Sequence, residues 1–118
     1  VLDEDQCVVR NTYTLARVYR HESCGQCSPC REGTGWMEKI LHKILDGHGS
    51  STDIDLLWDI QRKIEGNTIC PLGDAAAWPV ASAIRHFRHE FEAYVNNPKL
   101  QHVVSYYDHC HNLATAEV

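Results

Sequence analysis

The residues best suited to chemistry are four cysteines. Cys24, Cys27 and Cys30 form C-x₂-C-x₂-C inside Ser23-Cys-Gly-Gln-Cys-Ser-Pro-Cys-Arg31, and Cys70 stands apart, followed at once by Pro71. Three bunched thiolates closed by a remote Cys-Pro is the ligand pattern of a [4Fe–4S] cluster. Spacing by two lets neighbouring thiolates converge on a small inorganic core. It also turns the intervening amides inward, where they can hydrogen-bond to the sulfurs and help set a reduction potential.

Other uses of these thiols stay open on spacing alone. Four cysteines can make a closed tetrahedral zinc site of structural type, although zinc more often takes two C-x₂-C pairs. The six cysteines of the chain could also pair as three disulfides in a secreted protein. The clustered spacing and the lack of a basic-then-apolar leader in Val1-Leu-Asp-Glu-Asp-Gln6 favour a reducing compartment instead. Nothing else offers catalysis: there is no phosphate-binding glycine loop, no zinc-protease motif and no nucleophile–base pair of identifiable spacing. Gly33-x-Gly35 is too short for a nucleotide fingerprint and falls within a predicted helix, where it would allow close packing beside the site. Arg31, next to the third ligand, is either an ordinary surface charge or a cation favouring the reduced, more negative cluster.

At 118 residues the chain is expected to form one domain. It has no apolar run long enough to span a membrane. With 11 Lys+Arg against 16 Asp+Glu the net charge is −5, and no helix is basic. Both features disfavour a nucleic-acid partner, and with it a cluster-bearing DNA sensor. The absence of an initiator Met suggests a fragment or a processed chain.

The elements that must position the cysteines read as four helices. The first is expected over Asp3 to His21, with Asp3, Glu4 and Asp5 at the positive end of its dipole and Arg17 and Arg20 at the negative end. Val8, Thr12, Leu15, Ala16 and Tyr19 form its inward stripe. Cys7 in its first turn is read as a small buried thiol. Ser28-Pro29 is a strong helix start, so a second helix should run from Pro29 to about Asp46, with Cys30 in its first turn, where backbone amides favour an anion. Trp36, Met37, Ile40, Leu41, Ile44 and Leu45 form its apolar face. Thr52-Asp53-Ile54-Asp55 resembles a capping box opening a third helix to about Glu65, with Leu56, Leu57, Ile60 and Ile64 inward. Pro79 is taken as the start of a fourth helix to about Val95, because proline breaks a helix begun much earlier. Its inward residues would be Val80, Ile84, Phe87, Phe91 and Val95.

The expected fold is therefore all-α, an antiparallel up-down four-helix bundle. Residues 1–97 form the cluster-binding domain and residues 98–118 a tail for which disorder or loose packing is the better reading. Up-down topology brings the first and third connections, and hence all four cysteines, to one end. His102, His109, Cys110 and His111 in the tail lack a fixed fourth ligand, so no second metal site is assigned there.

Three stretches together are similar to one family. They are Glu22-Ser-Cys-Gly-Gln-Cys-Ser-Pro-Cys-Arg-Glu-Gly-Thr-Gly-Trp36, Ile64-Glu-Gly-Asn-Thr-Ile-Cys-Pro-Leu-Gly-Asp-Ala-Ala-Ala-Trp-Pro-Val80 and Arg85-His-Phe-Arg-His-Glu-Phe-Glu92. They resemble the C-terminal helical domain of the NADH- and FMN-binding subunit of respiratory complex I, the NADH:quinone oxidoreductase. Diaphorase subunits of NAD-linked hydrogenases and formate dehydrogenases share that resemblance. It implies that Cys24, Cys27, Cys30 and Cys70 bind a [4Fe–4S] cluster that takes electrons singly from FMN after NADH has delivered a hydride, and passes them to clusters of a neighbouring subunit. Implied partners are the other peripheral-arm subunits and the chain's own FMN/NADH domain, on the cytoplasmic side of a bacterial inner membrane or the matrix side of a mitochondrial one. The glycine-rich FMN and NADH region is not in these residues, so this piece is not expected to oxidise NADH alone. Pro71 stands where the family more often has Ala, and His89 where Pro is common.

Overall fold

The computed structural model describes residues 2–3 and 6–96. The sequence-based expectations for Glu4, Asp5 and the tail lie outside them. Among the described residues there are four helices and no strand: α1 Val8–Glu22, α2 Ser28–Leu45, α3 Ser51–Ile64 and α4 Leu72–Asn96. Each helix packs against its neighbours around the bundle, α1 on α2, α2 on α3, α3 on α4 and α4 back on α1, with α2 and α4 also meeting across the centre. Short connections make successive helices antiparallel. The expected all-α bundle is the observed one.

Apolar residues at three- and four-residue spacing build the core. Met37, Leu41 and Ile44 of α2 meet Ile54 and Leu57 of α3, and Phe91 and Tyr94 of α4 are equally buried. Cys7, 1 % exposed, joins this core as the residue before α1, and its Sγ lies 3.1 Å from Tyr94 Oη. The reading of Cys7 as a buried thiol holds.

Several expectations are corrected. Helix α1 begins at Val8 rather than Asp3, because Gln6 N–H closes a turn onto Asp3 C=O at 3.2 Å and Cys7 is extended. The third helix is capped by Ser50, not Thr52. Asp53 Oδ2 accepts from Ser50 N–H at 2.9 Å, and Lys43 Nζ lies 2.9 Å from the same oxygen. Burial pushes the Asp53 carboxyl up, but the bonds from Lys43 and Ser50 outweigh it and hold the group below the usual aspartate value. Helix α4 begins at Leu72, a turn and more before Pro79. Ala75 N–H bonds Pro71 C=O at 2.9 Å, and the alanines that follow are strong helix formers. Pro79 sits inside the helix, and the departure from helical geometry comes later, at Phe87 (φ −130, ψ 30). Leu15, Trp36, Leu56 and Phe87, all expected inward, are instead exposed.

Gly33 explains how closely α2 and α3 approach beside the cysteines. A Cβ there would lie 2.6 Å from Ile64 Cδ1 and 2.7 Å from Cγ1, so any larger residue must push Ile64 or the helices aside. The expectation of close packing at this glycine is met.

Candidate metal centre

The α1–α2 and α3–α4 connections lie at one end of the bundle, and between them is a cleft of about 130 Å³. Cys24, Cys27, Cys30 and Cys70 all line it, with Glu22, Ser23, Gln26, Thr68 and Leu72. Each cysteine reaches it by a different local device. Cys24 is exposed on the loop after α1. Cys27, half-buried, is the extended residue that caps α2, and Cys30 is buried in that helix's first turn. Cys70 is exposed just before Pro71 and the start of α4.

Two helices therefore begin at the cleft. Pro29 opens α2 with a preset φ, and Pro71 plays a related part before α4. Their first-turn amides have no intrahelical partners and give the cleft a positive local potential. Four thiolates and an iron–sulfur core carry net negative charge, which this end of the bundle suits.

Hydrogen bonds fix the loops. Gly25 has φ +83, a conformation natural to glycine. Arg31 Nη1 donates to Gly25 C=O at 2.9 Å, and Nη2 lies 3.5 Å from Ser28 Oγ. Arg31 is exposed with Nε 3.3 Å from Glu32 Oε1, as the surface-charge reading has it, and it also clamps the Cys24–Cys27 loop to the start of α2. Thr34, buried one turn on, donates to Cys30 C=O at 2.7 Å. Thr68 Oγ1 donates to Cys70 C=O at 3.0 Å. The end of α3 is joined to the first turn of α4 by Gly66 N–H donating to Asp74 Oδ1 at 2.7 Å.

Among the described residues, a backbone amide and a hydroxyl reach the sulfurs. Ile69 N–H donates to Cys27 Sγ at 3.4 Å across the two connections, and Ser23 Oγ lies 3.1 Å from Cys30 Sγ. Sequence reasoning assigned no role to Ser23, Thr34 or Thr68, since a hydroxyl beside a ligand has no spacing rule of its own. Trp36 and His21, near the motif in sequence, do not line the cleft. Trp36 borders an apolar groove of about 680 Å³ between α2 and α3, and His21 is exposed with Nδ1 3.0 Å from Glu22 Oε1.

The donor set fits an iron–sulfur group: four soft thiol ligands, backbone amides nearby and a partly buried cleft. Among the described residues, no group of three or more His, Cys, Asp or Glu is gathered where it could hold a metal ion.

Residues 10–94 match the family model described as the NADH-ubiquinone oxidoreductase-F iron-sulfur binding region. The chain is 48 % identical over 92 residues to the NADH-quinone oxidoreductase F 1 subunit of Rhizobium meliloti (strain 1021), covering 78 % of this chain and 21 % of that protein. It is 47 % identical over 97 residues to the NADH-quinone oxidoreductase F subunit of Rickettsia typhi (strain ATCC VR-144 / Wilmington), covering 82 % of this chain and 23 % of that one. Among solved structures, an NAD⁺-reducing [NiFe]-hydrogenase in the H₂-reduced state superimposes with a TM-score of 0.76 at 35 % identity, over 80 % of this chain and 16 % of its own. The chain thus spans about a fifth of the length of the curated relatives it matches.

Proposed function

We propose, from the premise that this chain belongs to the NADH-ubiquinone oxidoreductase-F iron–sulfur binding region family, that Cys24, Cys27, Cys30 and Cys70 hold one [4Fe–4S] cluster. The domain is an iron–sulfur electron-transfer module. One observation carries the ligand assignment: four thiols from segments far apart in sequence line the same small cleft. When bound, the cluster supplies a one-electron carrier between FMN, reduced by NADH, and further clusters in a partner subunit. The FMN and NADH sites belong to the part of the subunit outside the matched fifth, and the partners are the other peripheral-arm subunits of a complex I type enzyme.

The chain's own residues supply the holding and the electrostatics. Cys27 and Cys30 are fixed by the start of α2, Cys24 by the Arg31 clamp on Gly25, and Cys70 by the approach of α3 and α4. The N-termini of α2 and α4 favour the anionic group. Residues 1–97 serve as the cluster domain and 98–118 as a tail beyond it; the family match over 10–94 supports the first boundary. No helix among the described residues is long and apolar enough to cross a membrane. Attachment on the cytoplasmic or matrix face would come through the rest of the complex.

A single zinc ion would need its sulfurs about 2.3 Å from one point. Three bunched ligands with the fourth alone, where zinc more often takes two C-x₂-C pairs, favour the cluster. The higher identity to quinone oxidoreductase subunits than to the hydrogenase chain favours a complex I type parent.

The test is cysteine substitution in the anaerobically reconstituted chain. Serine at Cys24, Cys27, Cys30 or Cys70 should abolish or transform the EPR signal of the reduced cluster, and Cys7→Ser should leave it unchanged. A normal signal in any of the four, or its loss in Cys7→Ser with the fold intact, contradicts the assignment.

A further inference from the structure

We propose that Ser23 is a tuning residue: its hydroxyl donates a hydrogen bond to Cys30 Sγ and so raises the reduction potential of the bound cluster. The inference rests on the cluster assignment above. Ser23 Oγ lies 3.1 Å from Cys30 Sγ, and in the free thiol either atom can donate. Ligation requires the thiolate. Cys30 then has no proton to give, and the hydroxyl is the donor of the pair.

The surroundings commit the hydroxyl to this role. Gly25 N–H donates to Ser23 Oγ at 3.4 Å, which occupies a lone pair and leaves the hydroxyl proton for the sulfur. The backbone of Ser23 is held as the residue capping α1, with its N–H bonded to Tyr19 C=O at 3.0 Å. Cys30 is 7 % exposed, so water is poorly placed to replace the bond, and the low local dielectric strengthens it. A donor at a ligand sulfur stabilises the reduced, more negative state over the oxidised one, which raises the potential. The Ile69 amide acts likewise at Cys27 Sγ, 3.4 Å away. That bond comes from the backbone and survives side-chain substitution, whereas the Ser23 bond does not.

The experiment is an EPR-monitored redox titration of the cluster-loaded 118-residue chain, comparing wild type, Ser23→Ala and Ser23→Thr, with iron and sulfide counted in each. Ser23→Ala should shift the reduced-to-oxidised ratio at fixed potential about tenfold toward oxidised, which is about 59 mV lower for a one-electron couple. Ser23→Thr keeps the hydroxyl and should titrate with the wild type. An unchanged midpoint in Ser23→Ala at full cluster content overturns the inference, as does a Thr variant that falls as far as the Ala variant. Should Ser23→Ala hold no cluster, proton ENDOR of the reduced wild type decides. Two strongly coupled protons that exchange into D₂O are expected, one from the Ser23 hydroxyl and one from the Ile69 amide; a single one, which the Ile69 amide accounts for, overturns the inference. A wild-type chain that takes up no cluster overturns the ligand assignment together with this inference, whereas full uptake with an unmoved midpoint overturns this inference alone.

Discussion

Replacing Gly33 with alanine tests whether the α2–α3 contact beside the cleft is as tight as the backbone places it. Two effects oppose. In a helix interior, alanine is favoured over glycine by about 1 kcal/mol. Against that, the new methyl would fall 2.6 and 2.7 Å from two carbons of Ile64, which is 1 % exposed. Ordinary carbon contacts begin near 3.5 Å, so Ile64 or the helices must shift by about 1 Å. Moving only the terminal methyl does not suffice, because Cγ1 is struck as well. Overpacking of this kind costs roughly 1–3 kcal/mol, which leaves a net destabilisation of about 1 kcal/mol and a fall in Tm of about 4–8 °C for a domain of this size.

The sign should reverse once the obstacle is removed. Ile64→Ala alone is destabilising by about 2–5 kcal/mol, but in that background the methyl introduced by Gly33→Ala enters vacated space and helix propensity acts unopposed. Gly33→Ala should then stabilise by about 1 kcal/mol. Urea unfolding of the four cluster-free chains gives the cycle, with a coupling of about 2 kcal/mol between the two sites, within the range for residues in contact. A Gly33→Ala substitution that stabilises equally in both backgrounds would refute the close approach, and with it the idea that α3 is pressed onto α2 where Cys70 must meet the other ligands.

Gly25 and Gly66 both have positive φ, +83 and +75, and neither would bring a Cβ into a clash. Alanine at either should cost about 1–2 kcal/mol through backbone strain. Gly25→Ala should also slow cluster assembly, followed by visible absorption, more than Gly66→Ala does, because Gly25 directly follows Cys24 and its carbonyl takes the Arg31 bond, whereas Gly66 stands four residues before Cys70. Asp53→Asn should lower stability by about 1 kcal/mol at pH 7, within the range for loss of a helix cap. The folded-state value of Asp53 lies below the unfolded one, so its contribution is present above the unfolded value of about 3.9 and is lost as pH falls through the folded value. The gap between wild type and Asp53→Asn in thermal melts should therefore close in acid; a gap that stays constant or widens there contradicts the assignment. Closing the chain between Cys30 and Cys70 costs roughly 3 kcal/mol of loop entropy that ligation must offset. Amide exchange at residues 23–30 and 66–71 should be faster without the cluster than with it, with mid-helix amides little changed. Equal protection in both forms refutes that coupling.

Much of the fold was legible because strong local signals agreed with the packing. Ser28-Pro29 marked the start of α2 to within a residue, and cysteine spacing together with up-down topology anticipated one shared end. The failures have identifiable physics. Pro79 forfeits one hydrogen bond, the one Ala75 C=O would accept, and the helical residues from Leu72 to Trp78 made that loss tolerable; breaker logic alone placed the start of α4 too late. Periodicity marks apolar faces but cannot tell a core from a groove. Trp36 and Leu56 follow the helical stripe yet border the space between α2 and α3, and Leu15 and Phe87 border another between α1 and α4. The contacts that tune the site were beyond reach for a different reason. Ser23 meets Cys30, and Ile69 meets Cys27, only after chain turns whose geometry is set by Gly25 and by the return of α3 into α4.

The most direct test of the four-thiol site is anaerobic reconstitution of the wild-type chain with iron and sulfide, followed by metal and sulfide counting and EPR of the dithionite-reduced protein. The expected result is four irons and four sulfides per chain, with a paramagnetic cluster that appears on reduction and bleaches on reoxidation. One tightly held zinc per chain, with no paramagnetic species formed under the same conditions, would contradict it.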